Sequence, residues 1–133
     1  MIKVVTLLFR KPGLTAEQFC HDYETRHRLL GEKYLRPHAV RYCRRYPKVA
    51  GSSQPAEGSS QFAKDSQQRQ RPGPDFDVMM EVWFEDEQSL QAAMAAMSTP
   101  EARVELEADE LLLFDRGRTL SFTVEEFEST VGL

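Results

Sequence analysis

An α+β domain with a four-stranded antiparallel sheet is predicted by three features of the sequence. Apolar residues alternate with period two near residues 2–10, 38–49, 76–84 and 120–124. Between the first two of these stretches, and again between the last two, they recur at steps of three and four, the spacing of one helix face. A polar stretch from 51 to 74 separates the two halves. Strand, helix, strand occurring twice gives the ferredoxin-like plait, a sheet with its helices on one side.

The first strand is expected from Ile2 to Arg10. Ile2, Val4, Thr6 and Leu8 share one face and Val5, Leu7 and Phe9 the other, so both faces are to be covered. Lys11, Pro12 and Gly13 break it. Thr15, with Gln18 three residues on, makes a capping box, and Leu14 and Phe19 are spaced for a hydrophobic staple. The helix they open carries Ala16, Phe19, Cys20, Tyr23, His27, Leu30 and Tyr34 on one face and ends before Pro37.

Residues 38–49 read as the second strand, with Val40, Tyr42, Arg44 and Tyr46 on one side. Arg41, Arg44, Arg45 and Lys48 form the strongest basic run, expected as a solvated strand edge. From Gly51 to Pro74 the chain is rich in Ser, Gln, Gly and Pro, with Phe62 its only large apolar residue. Such a segment buries too little surface to offset its ordering, so a flexible loop is expected. A lid anchored by Phe62 is the alternative, since loops of this length are often functional.

Phe76, Val78, Met80, Val82 and Phe84 alternate with Asp77, Met79, Glu81 and Trp83 in the third strand. Asp86 caps a helix carrying Leu90, Ala93, Met94 and Met97, the methionines reading as core filler. Thr99 followed by Pro100 opens another, short helix with Val104, Ala108 and Leu111 inward. After a turn at Gly117, Leu120, Phe122 and Val124 alternate in the last strand, and Glu125 and Glu126 begin a polar tail. The helices cover one face of the sheet. The other, carrying Val5, Phe9, Met79 and Trp83 or their opposites, needs a partner, and a second copy in a two-fold homodimer is the economical one.

At 133 residues the chain is one domain, 1–133, long enough to bury a core, with 41% hydrophobic and 29% charged residues. The net charge of −4, with acids and bases interspersed, argues against nucleic acid as a partner. No apolar run reaches the ~20 residues of a membrane span. The Val4–Phe9 segment is too short for a signal peptide and is followed by Arg10 and Lys11 rather than a cleavage site. A cytoplasmic protein is expected, and in that setting Cys20 and Cys43 are free thiols.

The chemistry centres on His27, a titratable imidazole on an otherwise apolar or amphipathic stripe. Its helix should lie over the sheet, and the cavity of such a plait lies between them. Tyr23 sits one turn before His27, and Tyr42 with either Trp83 or Phe84 could wall the cavity, since strand parity is open in the sequence. His21, Glu24 and His27 place the two imidazoles about 120° apart on a helix, and no recognised ligand spacing recruits His38 or Asp77, so no metal is expected. No glycine-rich phosphate loop joins a strand to a helix, which argues against a nucleotide or flavin cofactor. What remains is cofactor-free proton transfer by His27, with a tyrosine hydroxyl holding the developing oxyanion.

Ile2-Lys-Val-Val-Thr-Leu-Leu-Phe-Arg-Lys-Pro-Gly-Leu-Thr-Ala-Glu-Gln-Phe19 followed by Tyr23-Glu-Thr-Arg-His27 resembles the opening of EthD-domain proteins of the dimeric α/β-barrel superfamily. The likeness extends to Phe76-Asp77, Trp83-Phe84, Ala108-Asp109-Glu110, Phe114-Asp115 and Val124-Glu125-Glu126, most of the chain outside 51–74. The resemblance implies a dimer with a small-molecule pocket beneath the first helix. Members include decarboxylases, dehydratases and cyclases of aromatic polyketides, lactone isomerases and oxygenases without cofactors. It gives His27 a catalytic role and matches Asp115 to a recurrent acid near the last strand. Many members carry a proline shortly after the histidine, where Arg28, Leu29 and Leu30 stand here.

The expectation is a cytoplasmic, homodimeric, cofactor-independent lyase or isomerase acting on an aromatic or polycyclic metabolite. His27 is its acid or base, and Tyr23, Tyr42, Trp83, Phe9 and Asp115 contact the substrate. The competing readings are a non-catalytic carrier of a hydrophobic metabolite or haem, and a structural dimer with a core histidine.

Overall fold

The computed structural model describes residues 1–48 and 74–132. The chain runs β1 (Ile2–Leu8), α1 (Ala16–Asp22), a π-helical turn (Tyr23–His27), α2 (Arg28–Leu35) and β2 (Ala39–Arg45). The second half is β3 (Val78–Phe84), α3 (Glu87–Met97), α4 (Pro100–Leu113), a 3₁₀ turn (Arg116–Arg118) and β4 (Leu120–Thr123). The four strands form one antiparallel sheet in the order β2-β3-β1-β4, the α+β ferredoxin-like plait. Apart from Pro74, the 51–74 loop and its Phe62 anchor lie outside the described residues.

The strands are shorter than their alternation implied. β1 ends at Leu8, and Arg10 then forms an isolated bridge to Phe114, with Asp77 accepting from the Arg10 backbone N–H at 2.9 Å. β2 begins one residue later than expected and shifts register between Ala39 and Arg41. Its arginines are not simply solvated. Arg44 binds both oxygens of Glu24 at 3.0 and 2.6 Å, Arg45 reaches Glu81 at 2.7 Å, and Arg41 stacks on the Trp83 ring. An edge strand can carry such a run because helix and neighbouring strand supply the acids.

The capping signals are realised. Thr15 accepts from the Gln18 backbone while the Gln18 side chain accepts from the Thr15 N–H, and Leu14 packs on the cluster containing Phe19. Asp86 and Thr99 cap α3 and α4 by accepting from the backbone N–H of Ser89 and Ala102. Helix α4 corrects two expectations: it runs for 14 residues, and it buries Ala102, Leu106, Asp109 and Leu113. Val104, Ala108 and Leu111 face solvent, Val104 with 73% of its surface open. Both stripes have helical period, so spacing alone does not choose between them, and the buried one is the less hydrophobic because it carries an aspartate.

The core lies between helices and sheet in two clusters. Leu8, Phe19, Tyr23, Val78, Leu113 and Phe114 form one, and Leu35, Val82, Phe84 and Ala93 the other. β1 meets β3 in the register Val4↔Val82 and Thr6↔Met80, so the even-numbered residues of both strands face the helices. Lys3, Val5, Leu7, Met79, Glu81 and Trp83 occupy the opposite face. Burial alone pushes the Glu81 carboxyl up, but hydrogen bonds from Lys3 and Arg45 outweigh it and hold it below its ordinary value.

Glu24 makes stability pH-dependent. The Arg44 guanidinium, opposed by partial burial and helped by Tyr46, holds its carboxyl below the usual range. A depressed carboxyl contributes stability that is present above the unfolded value of ~4.3 and is lost as pH falls through the lower folded value. Denaturant titrations on the acid side of pH ~4.3 should therefore show falling stability, and Glu24→Gln should flatten that fall. An equal slope in the variant would assign the acid sensitivity elsewhere.

Candidate functional site

Between α1 and α2 the helix widens into the π turn Tyr23–His27, a form found frequently at functional sites. The Thr25 hydroxyl donates to the His21 carbonyl at 2.7 Å, a side-chain bond that competes with the helix ladder. The first and last residues of the turn are its buried ones. Tyr23 is 0% exposed and His27 8%. Their rings meet edge-on with centroids 5.0 Å apart, and Phe114, just beyond α4, meets both of them edge-on, at 5.0 Å from His27 and 6.0 Å from Tyr23.

The imidazole has one strong partner. His27 Nδ1 lies 2.8 Å from Oδ2 of Asp109, which is 5% exposed, and the Arg26 guanidinium donates to the other oxygen of the same carboxylate. Asp109 satisfies the requirement that a buried imidazole be hydrogen-bonded. No partner of Nε2 occurs among the described residues, and no described side-chain nitrogen or oxygen is both sealed and unpartnered. Nε2 is therefore accessible, and His27 is among the residues that line a cavity.

That cavity has a volume of about 540 Å³, within the range of small-molecule sites, and lies between the helices and the sheet. Val4, Val82, Phe84, Leu90, Leu106 and Phe114 give it a mostly apolar wall, and Met80, Met94 and Met97 add deformable surface. At its β1–β4 side the hydroxyls of Thr6 and Ser121 are 2.8 Å apart, and Arg103, Glu110 and Arg116 bring charge. Aromatic and aliphatic walls with few polar groups suit an apolar body carrying one or two oxygens.

Tyr42 lines the cavity, and its hydroxyl lies 2.9 Å from that of Tyr23, which also donates to Met80 Sδ at 3.4 Å. Burial holds both phenols above their ordinary values, so both remain protonated donors near neutral pH. Gly31 makes this arrangement possible: a Cβ there would lie 2.8 Å from the Tyr42 hydroxyl oxygen and 3.1 Å from two ring carbons. Gly→Ala in a helix ordinarily stabilises by ~1 kcal/mol. Gly31→Ala should instead destabilise, and the loss should shrink in a Tyr42→Phe background, as read by urea denaturation. A simple gain in stability would show that Tyr42 yields freely.

Of the residues expected at the site, His27 and Tyr42 line the cavity, and Tyr23 lies behind them, hydrogen-bonded to Tyr42. Trp83 does not line it. It stands on the opposite face of the sheet between Lys3 and Arg41, while its neighbour Phe84 faces the cavity. Phe9 is also outside the cavity lining, stacked against Arg118. Asp115 is a turn residue whose N–H donates to the Phe9 carbonyl at 2.8 Å; in the extended backbone there, Phe114 faces the cavity and Asp115 does not. The groups not anticipated are Asp109, Arg26 and Phe114. Among the described residues no three His, Cys, Asp or Glu side chains converge as a cation site requires.

The EthD-domain family model matches residues 11–117. No curated protein matches the chain in sequence. Among solved structures, an ethyl tert-butyl ether D (EthD) family protein from Bacillus halodurans is 19% identical with a TM-score of 0.57, over 96% of this chain and 100% of that one. HapK from Hahella chejuensis is 11% identical with a TM-score of 0.55, over 100% and 99%. A dimeric ferredoxin-like protein of unknown function from Thermobifida fusca is 13% identical with a TM-score of 0.53, over 92% and 88%. At these identities the likeness is one of fold. With the family model spanning most of its length, the chain belongs to the EthD-domain family.

Proposed function

We propose that this protein is a cytoplasmic, cofactor-independent lyase or isomerase that moves a proton on an aromatic or polycyclic metabolite. The observation that carries the reading is the His27 imidazole, anchored through Nδ1, with an accessible Nε2, in the lining of a largely apolar cavity. An imidazole can accept a proton on one ring nitrogen while the other stays hydrogen-bonded, and return it later, which suits it to general acid–base chemistry. Nε2 accepts a proton from a carbon next to a carbonyl, and the electron pair moves onto the carbonyl oxygen. The Tyr42 hydroxyl turns its one proton to that oxyanion, and the Tyr23 hydroxyl turns from Met80 to donate to Tyr42 in its place. The proton on Nε2 is then delivered to another carbon, giving an isomer, or to a departing hydroxide, giving water and an alkene. In a decarboxylation the carboxylate leaves as carbon dioxide and Nε2–H protonates the carbanion.

The protein acts as a homodimer in this reading. Leu120 and Phe122 on the uncovered sheet face are exposed, and one protein of the same fold is described as dimeric.

Native mass spectrometry with a library of aromatic and polycyclic acids and ketones, followed by product analysis, tests the assignment. A compound that is bound and consumed supports it. Binding without consumption would replace it with a carrier of a hydrophobic metabolite or haem, and hemin is to be included for that reason. No binding would leave His27 as a core residue.

A further inference from the structure

We propose that Asp109 is the positioning residue of His27, and that Arg26 in turn anchors Asp109. Together they fix the imidazole as the tautomer with its proton on Nδ1 and its lone pair on Nε2. The inference rests on His27 being the proton-transfer group, and it names what makes that group a base through Nε2.

The geometry uses both carboxylate oxygens of Asp109. Oδ2 faces His27 Nδ1 at 2.8 Å, and Oδ1 accepts from Arg26 Nε. A carboxylate only accepts hydrogen bonds, so the nitrogen that faces it must carry the proton. In the neutral ring the lone pair is then on Nε2, the accessible nitrogen. If the ring is protonated, Nδ1 keeps its hydrogen and the proton available for transfer is the one on Nε2. Either state directs chemistry through the same atom.

Arg26 supplies the countercharge that an aspartate withdrawn from water requires. Its side chain is 42% exposed, so its guanidinium remains partly hydrated while Asp109 is not. Arg26 and His27 are consecutive in the π turn, whereas Asp109 comes from α4, so the contact also ties the first half of the chain to the second. Tyr23 and Phe114 each meet the ring edge-on at 5.0 Å and also meet each other, and this packing restricts its rotation about the bond to Asp109. The neighbouring Glu110 lines the cavity with Arg103 3.5 Å away and Arg116 3.6 Å away, and it has no contact with His27 among the described residues.

The test is ¹⁵N NMR of the histidine side chains in the 133-residue chain without added ligand, with His27→Ala assigning the signal among its three histidines. The wild-type His27 ring should show the Nδ1–H tautomer. In Asp109→Asn the amide oxygen can stay with Arg26 while the amide nitrogen donates to Nδ1, so the ring should invert to Nε2–H at unchanged volume. A wild-type ring in the Nε2–H form overturns the proposal without reference to any variant. An uninverted ring in folded Asp109→Asn overturns it as well.

Because this readout needs no substrate, it separates the positioning claim from the enzyme reading. With a consumed compound, Asp109→Asn should lower kcat by up to ~10⁴-fold with KM little changed, the effect of a wrong tautomer in a comparable Asp–His pair. A tautomer that inverts in a protein that turns nothing over leaves the positioning intact and removes the enzyme.

Discussion

His27→Ala should abolish turnover of any compound the wild type consumes, by ~10²–10⁴-fold in kcat, while the protein stays folded. The loss follows from removing the one imidazole that lines the cavity, where no other side chain offers a ring nitrogen to a ligand. Some stability should go with it. Asp109 keeps Arg26 but loses its second partner, a deletion of the kind that costs ~1–3 kcal/mol. Rates are therefore to be compared well below the variant's unfolding midpoint, with circular dichroism as the control. If His27 were a structural residue only, stability would fall and kcat would not.

Tyr23→Ala should cost ~3–5 kcal/mol, the largest stability effect expected of a single side chain here. Tyr23 is fully buried, and its ring meets those of Phe19, His27, Tyr46 and Phe114 with centroids 5.0 to 6.2 Å away. Tyr23→Phe keeps the ring and removes only the bonds to Tyr42 and Met80, so it should cost ~0.5–1.5 kcal/mol. Urea midpoints at constant m distinguish the two. Similar costs for both variants would mean that the hydroxyl network, not the ring, holds the π turn in place.

The order of elements, the capping residues and the buried stripe through Phe19, Tyr23 and His27 are all legible in the sequence because each is a local pattern with a fixed period. Face parity is not. β3 carries large apolar side chains on both sides, Met80, Val82 and Phe84 against Met79 and Trp83, so alternation identifies two faces without saying which one the helices cover. The sequence leaves Trp83 and Phe84 as alternatives for the cavity wall, and Phe84 holds that place; Phe9 lies past the end of β1 against Arg118. Asp109 escaped for a different reason. Hydropathy selects Val104, Ala108 and Leu111 as the inner face of α4, whereas the true inner face spends one position on an aspartate.

A signal for Asp109 does exist in the sequence. The His27 stripe holds one imidazole, and the stripe of Ala102, Leu106, Asp109 and Leu113 one carboxylate, each on an otherwise apolar or amphipathic face. Burying either alone is costly, and pairing them removes most of that cost. Two such anomalies on elements that pack against the same sheet predict each other. The shift from Asp115 to Phe114 has no comparable signal, since it depends on where α4 ends and the extended backbone begins.

Titration of ¹³C-methyl-methionine protein with a bound library compound tests most directly whether ligands enter the cavity beside His27. Met80, Met94 and Met97 line that cavity, and Met79 lies on the opposite face of the sheet. The account predicts saturable shifts of the Met80, Met94 and Met97 methyls, with Met79 unmoved. A shift confined to Met79 would place the ligand on the Trp83 face and contradict it.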